Sequence, residues 1–515
     1  MRFVASALAA GIGGGPAEAA RAQAARRFPP AAAGALLAQG RAAEAKAKLL
    51  EGGVLAVTTG QQAGLFTGPL YTIHKAVTAA ALADALAAKL ARPVVPVFWV
   101  AGDDHDFAEI AHCSVIGQDG RLARITLRER PADAPQRPAF AEPLGPEGAE
   151  ALARLEQLLP ASDFRAETLA WLGRHYRPDL SMAEAFAQAL AEWLGPLGIV
   201  VCRGWDGSLK RAAADVLLGA AREASAIDAA LGAEAERLRV AGREVPVEVG
   251  KGLSLLLVED AAGGRDRLRI TEPQRFVARR SGTAYTLADL ERLLRDDPER
   301  VSANVLLRPA VEAALFPTVA YVGGPAELAY LEQAAPVFTH LGVPRPARAP
   351  RLSGTIVEAK VEKVLERHGL ALADLARADG ELAARVARED LPAGATAALE
   401  GLRRALTDGY AALRGEVAAV DRTLEKPVEN ARNQALHGTQ EVEKKLVAAL
   451  KRSADTALQQ VARARDAVAP GGSPQERVLT LASFQARHGS AVRELLAEAA
   501  RDHARVLLEG AGVLT

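Results

Sequence analysis

The chain has 515 residues, and its 63 basic and 63 acidic side chains cancel. That balance excludes a nucleic-acid polyanion as an expected partner, and no apolar run is long enough to span a membrane. Two cysteines far apart, Cys113 and Cys202, exclude a disulfide scaffold or a cysteine-rich zinc module and fit a reducing cytoplasm.

In chain order, Met1–Ala10 has a faint likeness to a signal peptide. The glycines between Gly11 and Gly15 dilute it and no cleavage site is obvious, so secretion is not expected. A helix is predicted over Ala31–Leu50. Val54–Thr59 is a β-branched apolar run between Gly53 and Gly60, which predicts a buried strand. A loop with Gly60, Gly64 and Gly68 follows, and Pro69 suits the first position of a helix running to about Leu90. Pro93–Ala101 predicts a second buried strand, stopping at Gly102–Phe107. Strands are expected at Ser114–Gly117 and Leu122–Leu127, and helices fill Glu147–Leu194. Gly198–Arg203 is another core strand, followed by one helix over about Ser208–Leu238. Val245–Ile270 predicts a small β insertion and Leu287–Arg295 a helix. Thr318–Val322 is a further strand, followed by Gly323, Gly324, Pro325 and a helix from about Ala326 that takes in Glu327. Strands alternating with helices predict an α/β core with a parallel sheet over residues 1–390, with insertions at about 114–194 and 240–300.

The composition shifts after about Leu391-Pro392. Leu402, Leu406, Tyr410, Leu413, Val417, Val420, Leu424 and Val428 follow spacings of four and three, a heptad seam. Val442, Leu446, Leu450, Ala454, Leu458, Val461 and Val468 continue a similar stripe. His437-Gly438 predicts the break between two helices, and Pro427 a kink in the first helix or its end. Residues 391–470 are therefore expected as an antiparallel coiled-coil hairpin, with a helical pair packed on the core as the plainer alternative. Residues 471–515 would return to the core through a helix over Ala491–Leu508. Two stripes in one hairpin leave an apolar flank, which predicts a homodimer through the coil.

The candidate chemistry lies at strand ends. Strand, glycine loop and helix can bring backbone N–H groups to an anion, although Walker spacing and Gly-x-Gly-x-x-Gly are both missing. Tyr71, His74, Lys75 and Thr78 share one helix face near that end. Thr59, Gly60, Gln61 and Gln62 end one predicted strand, and Asp103, Asp104, His105 and Asp106 follow the next. In an open parallel sheet such ends meet at a crevice. The acidic run admits three readings: holding an amine or acting as a general base, binding a divalent ion such as magnesium, or capping the following helix. His112 and Cys113 could extend a metal site only weakly. Arg308 could hold a carboxylate or phosphate, or serve in a core-edge salt bridge.

Thr59–Lys75 and Pro96–Phe107, with shorter blocks at Asn304–Pro309, Pro317–Leu328 and Pro474–Val478, closely resemble the bacillithiol biosynthesis cysteine-adding enzymes. The resemblance implies a Rossmann-like nucleotidyltransferase core, related to class I aminoacyl-tRNA synthetases, and a coiled-coil domain. It implies a cytoplasmic carbon–nitrogen ligase joining L-cysteine to glucosaminyl-malate, with ATP and Mg2+ as the expected means of activating the cysteine carboxyl through an adenylate. Laid over the class I Gly-x-Leu-His-Ile-Gly-His signature, Gly68–His74 puts His74 at the final histidine, which stabilises charge on the phosphates, and Tyr71 at the first. Gly323, Gly324 and Glu327 fall in a matching block. Arg351–Thr355, with Ser353, lies where such enzymes carry Lys-Met-Ser-Lys-Ser, and Gly354 replaces the second lysine. The alternatives are another amide ligase of this fold, or a nucleotide-binding assembly protein organised by its coil.

Overall fold

The computed structural model describes residues 1–6, 11–131, 134–377, 381–382, 393–453 and 455–510. They form two compact units: Arg2–Ile356 with Gln475–Thr515, and Val357–Pro474, to which Met1 is also assigned.

The first unit is built on a six-stranded sheet of β1 (Leu36–Leu37), β2 (Leu55–Gln62), β3 (Val94–Ala101), β4 (Val200–Arg203), β5 (Thr318–Gly323) and β6 (Ala347–Pro350). Its order is β6-β5-β2-β3-β4-β1, and every neighbouring pair is parallel except β4 with β1. Leu55 to Thr59 are all buried, as are Val95 to Val100. Strands covered on both faces need near-continuous apolar runs, and this is why they show so plainly in the sequence. Helix α1 (Tyr71–Leu90) packs on β2 and β3, and the terminal helix Ala491–Gly510 packs against α1. The α/β expectation holds.

Three local expectations change. Ala31–Leu50 is not one helix: a 3-10 turn at Pro30–Ala35, the edge strand β1 and a helix at Arg41–Glu51 replace it. Gly40, at φ 54°, turns the chain between them. Ser208–Leu238 is three helices, Gly207–Ala212, Ala214–Arg222 and Ala224–Val240, broken where Ala213 and Glu223 take ψ near zero. The β insertion is larger than expected. Leu253–Glu259, Arg265–Glu272, Arg275–Ala278, Ala284–Thr286 and Val301–Ala303 form a five-stranded antiparallel sheet.

The second unit contains α2 (Ala393–Val420), α3 (Glu425–Ser453) and α4 (Asp455–Val468). Arg403 pairs with Glu443 at 2.5 Å and Arg414 with Glu425 at 3.4 Å, so α2 and α3 run antiparallel. The corner is not His437-Gly438, which lies inside α3. It is Asp421–Leu424, where the Asp421 carboxylate accepts from the Thr423 N–H and hydroxyl, both at 2.9 Å. Pro427 is the third residue of α3, where no helical N–H is required, so it opens the second helix instead of ending the first. Leu391, Pro392 and Ala454 lie outside the described residues. Among those described, no helix is long and apolar enough to cross a membrane.

Candidate active site

A cavity of about 540 Å³ opens at the carboxyl ends of β2, β3 and β5. Gly60, Gln61 and Gln62 end β2 beside Trp99, Val100 and Ala101 of β3. The close register requires glycine at 60, because a Cβ there would lie 2.7 Å from the Trp99 carbonyl oxygen. The other two glycines of the loop serve its own closure. A Cβ on Gly64 would lie 2.9 Å from the Gly68 Cα, and Phe66 and Thr67 between them take left-handed φ of 48° and 74°. Tyr176 fastens this turn, accepting from the Thr67 N–H at 2.8 Å and donating to Gly64 O at 2.9 Å.

Lys75, one turn into α1, is buried against the strand ends. Its ammonium donates to Gly60 O at 3.0 Å and Gln61 Oε1 at 2.6 Å, and pairs with Glu327 Oε2 at 2.5 Å. Burial pushes the ammonium below its usual range, against the pull of Glu327. Glu327 also accepts from the Gly324 N–H at 2.8 Å, closing the first turn of the helix Pro325–Gln333. Its other oxygen accepts from the Tyr321 hydroxyl at 3.2 Å, which in turn accepts from Arg308 at 3.1 Å. Arg308 pairs with the buried Glu312 at 2.6 Å, as its salt-bridge reading expected, and still lines the cavity. Tyr71 accepts from Gln61 at 3.3 Å, and burial raises its phenol to about 12.

The acidic run is divided among tasks. Asp103 pairs with Lys210 at 2.7 Å. Asp104 accepts from Gln62 at 2.5 Å and from the His105 N–H at 2.7 Å. Asp106 accepts from the Glu109 N–H at 3.1 Å and caps the short helix Phe107–Ile110. The capping reading therefore holds for Asp106, whereas Asp103, Asp104 and His105 line the cavity. Among the described residues no three His, Cys, Asp or Glu side chains converge as a metal set. Burial first, and Arg265 second, lower the His105 imidazole, so it is neutral at pH 7. Burial, with Asp106 and Asp104 nearby, raises the Glu109 carboxyl.

His74 lies apart from the cavity lining. It is fully buried, with Nδ1 3.0 Å from Glu476 Oε2 and its ring edge-on to Phe3. Glu476 also accepts from Arg351 at 2.7 Å, the Ser353 hydroxyl at 2.8 Å and the Gly354 N–H at 3.1 Å. Burial alone would raise this carboxyl. Hydrogen bonds from His74 and Arg351 outweigh burial and hold it well below the usual range. A Cβ on Gly354 would strike the Val4 carbonyl and the Phe3 ring, so no lysine fits there.

Of the expected site residues, the cavity collects Gly60, Gln61, Gln62, Tyr71, Lys75, Asp103, Asp104, His105, Arg308, Gly324 and Glu327. Thr59 is buried and donates to Val322 O at 2.8 Å; Gly68 belongs to the glycine loop and Gly323 ends β5; Ser353 serves Glu476. Sequence reasoning missed Glu109, Lys210, Arg265, Asn304 and Arg477, all on the cavity wall, and Glu476 behind it. The block Pro474–Val478 was the available signal for Glu476 and Arg477.

Residues 35–352 match the family profile described as bacillithiol biosynthesis BshC, N-terminal Rossmann-like domain. Residues 354–504 match bacillithiol biosynthesis BshC, C-terminal coiled-coil domain. The chain is 33% identical over 456 residues to a Salinibacter ruber protein named "Putative cysteine ligase BshC", covering 87% of this chain and 81% of that one. Proteins of the same name from Heliobacterium modesticaldum and Symbiobacterium thermophilum are 33% identical over 463 residues and 32% over 462 residues. Those alignments cover 89% and 86% of this chain, and 83% and 82% of the relatives. A parallel α/β sheet with its cavity at the strand ends, an antiparallel helical hairpin and two matched domains agree: the chain belongs to the BshC family of bacillithiol biosynthesis.

Proposed function

We propose that this protein is a cysteine ligase, joining the carboxyl of L-cysteine to the amine of glucosaminyl-malate. One observation carries the reading. A single open cavity sets cations at Lys75, Arg308, Arg351 and Arg477 against carboxylates at Asp103, Asp104 and Glu109. Its openness favours an enzyme over an assembly protein, for which side chains would fill the crevice. The family match, and relatives whose name includes cysteine ligase, support the same reading.

Amide formation from a free carboxylate is uphill, so the cysteine carboxyl must be activated, and ATP with Mg2+ would supply that activation. The cationic donors suit a triphosphate: Arg351 and Arg477 are the residues to hold it. The expected relation to class I nucleotidyltransferases belongs to this proposal. Asp104, oriented by Gln62, receives the acceptor ammonium. That ammonium would give one proton to water to become the nucleophile. Neutral His105, or Glu109 with its raised carboxyl, would take the second as the C–N bond forms and the bond from the cysteine carbonyl carbon to its activating group breaks, that group leaving with the electron pair. Lys75, Gln61 and Tyr71 orient the group bound at the end of β2. His74 acts as a positioning residue, holding Glu476 and through it Arg351.

The test is purified protein with cysteine, glucosaminyl-malate and ATP, read by mass spectrometry. The expected product is the cysteinyl amide, dependent on all three; its absence removes the ligase reading. A cytoplasmic homodimer completes the proposal. Leu413, Val420 and Val442 are exposed on the hairpin helices, leaving apolar surface for a second copy. Light scattering should give a dimer that Val417→Glu shifts toward monomer, and a concentration-independent wild-type monomer would remove it.

A further inference from the structure

Part of the cavity wall comes from the inserted antiparallel sheet, and it carries a cation that forms no ion pair among the described residues. Arg265 opens the strand Arg265–Glu272. Its Nε and Nη2 donate to the Ser302 hydroxyl at 3.0 and 2.8 Å, and Nη2 reaches Ala303 O at 3.5 Å. Its Nη1 has no partner among the described residues. The deeper cations of this cavity are each paired: Lys75 with Glu327, Lys210 with Asp103, Arg308 with Glu312 and Arg351 with Glu476. Arg477 also lacks a partner among the described residues, but it stands exposed, where water solvates it. Arg265 is held in the wall by a neutral hydroxyl, and Asp103, Asp104 and Glu259 reach it only through space. Arg265 is half-buried, and a guanidinium does not discharge by losing its proton, so its partly desolvated charge favours an arriving anion. A ligand carboxylate would match its fork.

Asn304 lies two residues beyond Ser302. Its Oδ1 accepts from the Leu306 and Leu307 N–H groups at 3.1 and 3.0 Å, and its amide N–H donors have no partner among the described residues. We propose that Arg265, Ser302 and Asn304 form a carboxylate subsite that selects the acceptor by its malyl group. The choice of acceptor rests on the ligase reading; the carboxylate subsite does not. Cysteine has one carboxylate, and it is the reacting group. The acceptor's two carboxylates take no part in bond making and need only be bound. The aspartates that act on Arg265 through space would face the acceptor's amine.

Calorimetric titration of the full chain with L-malate tests the subsite without turnover. Wild type should bind, Arg265→Gln should bind at least roughly tenfold more weakly, and Arg265→Lys should fall between them. Ser302→Ala, which keeps the charge but frees the fork, should weaken binding less. Melting curves identify any variant that fails to fold. No malate binding by wild type, or equal binding by folded Arg265→Gln, overturns the subsite. In steady-state ligation, Arg265→Gln should raise the KM for the acceptor by roughly tenfold while the KM for cysteine stays put. A raised KM for cysteine alone overturns the acceptor assignment. If no ligation occurs at all, the malate titration still decides the subsite, and only the ligase reading falls.

Discussion

Glu476 accepts hydrogen bonds from four groups of its own chain, His74, Arg351, Ser353 and the Gly354 N–H, and its side chain is 5% exposed. Asp104 is fastened by Gln62 and by its own turn, yet its side chain is 37% exposed and faces the cavity. Both carboxylates come from stretches dense in polar residues. The difference is where their remaining capacity points. Glu476 spends its oxygens on the chain, so it fixes Arg351 and the segment around Gly354. Asp104 is oriented on one side and open on the other, which is what a group that must meet a substrate needs.

The largest effect that separates the two regions should come from Asp104→Asn. It removes the charge but keeps the shape, and turnover should fall by about 10²- to 10⁴-fold with the melting curve nearly unmoved. Wild-type turnover in this variant would erase the distinction. Glu476→Ala should act first on stability, and on turnover only through the lost placement of Arg351. Removing one member of a buried ionic network costs about 3–5 kcal/mol, because Arg351 is left without its partner. Denaturant unfolding measures that loss, and an unchanged midpoint would show that the network adds nothing. Acid titration sharpens the point. The folded-state value of Glu476 is depressed below the ordinary 4.5, so its stabilisation is fully present above 4.5 and is lost as pH falls through the folded value. Unfolding free energy should therefore decline below about pH 4.5 in wild type, and that decline should be shallower in Glu476→Gln. The smallest effect belongs to His74→Ala, which removes one donor of four. A loss of about 1–3 kcal/mol with turnover retained fits a positioning role. Abolished turnover in a folded variant would return His74 to the chemistry.

Much of the sheet was legible because strands buried on both faces leave apolar runs bounded by glycine or proline, as at Leu55–Gln62, Val94–Ala101 and Thr318–Gly323. The short edge strand Leu36–Leu37 left no such mark, since two residues carry no period. Gln61, Lys75 and Asp104 could be found because each sits at the end of a legible element. Lys210 and Arg265 could not: in a chain with 63 basic residues, one more arginine or lysine is unremarked until the fold turns it inward. Glu476 is 402 residues from His74, and nothing local announces their contact. The hairpin corner was misplaced for a different reason. Proline stops a helix from within and starts one from its first turn, and Pro427 does the second. The heptad spacing is the same on either interpretation.

Cys113 and Cys202 are both free thiols and both buried. Burial raises each thiol above its ordinary range, so neither supplies thiolate near neutral pH. If the proposed cysteine substrate is right, the chain would thereby be protected from trapping it as a mixed disulfide. Maleimide should label neither residue in the native protein and both after denaturation. With the chain silent to such reagents, thiols titrated in a native reaction mixture belong to the small molecules alone.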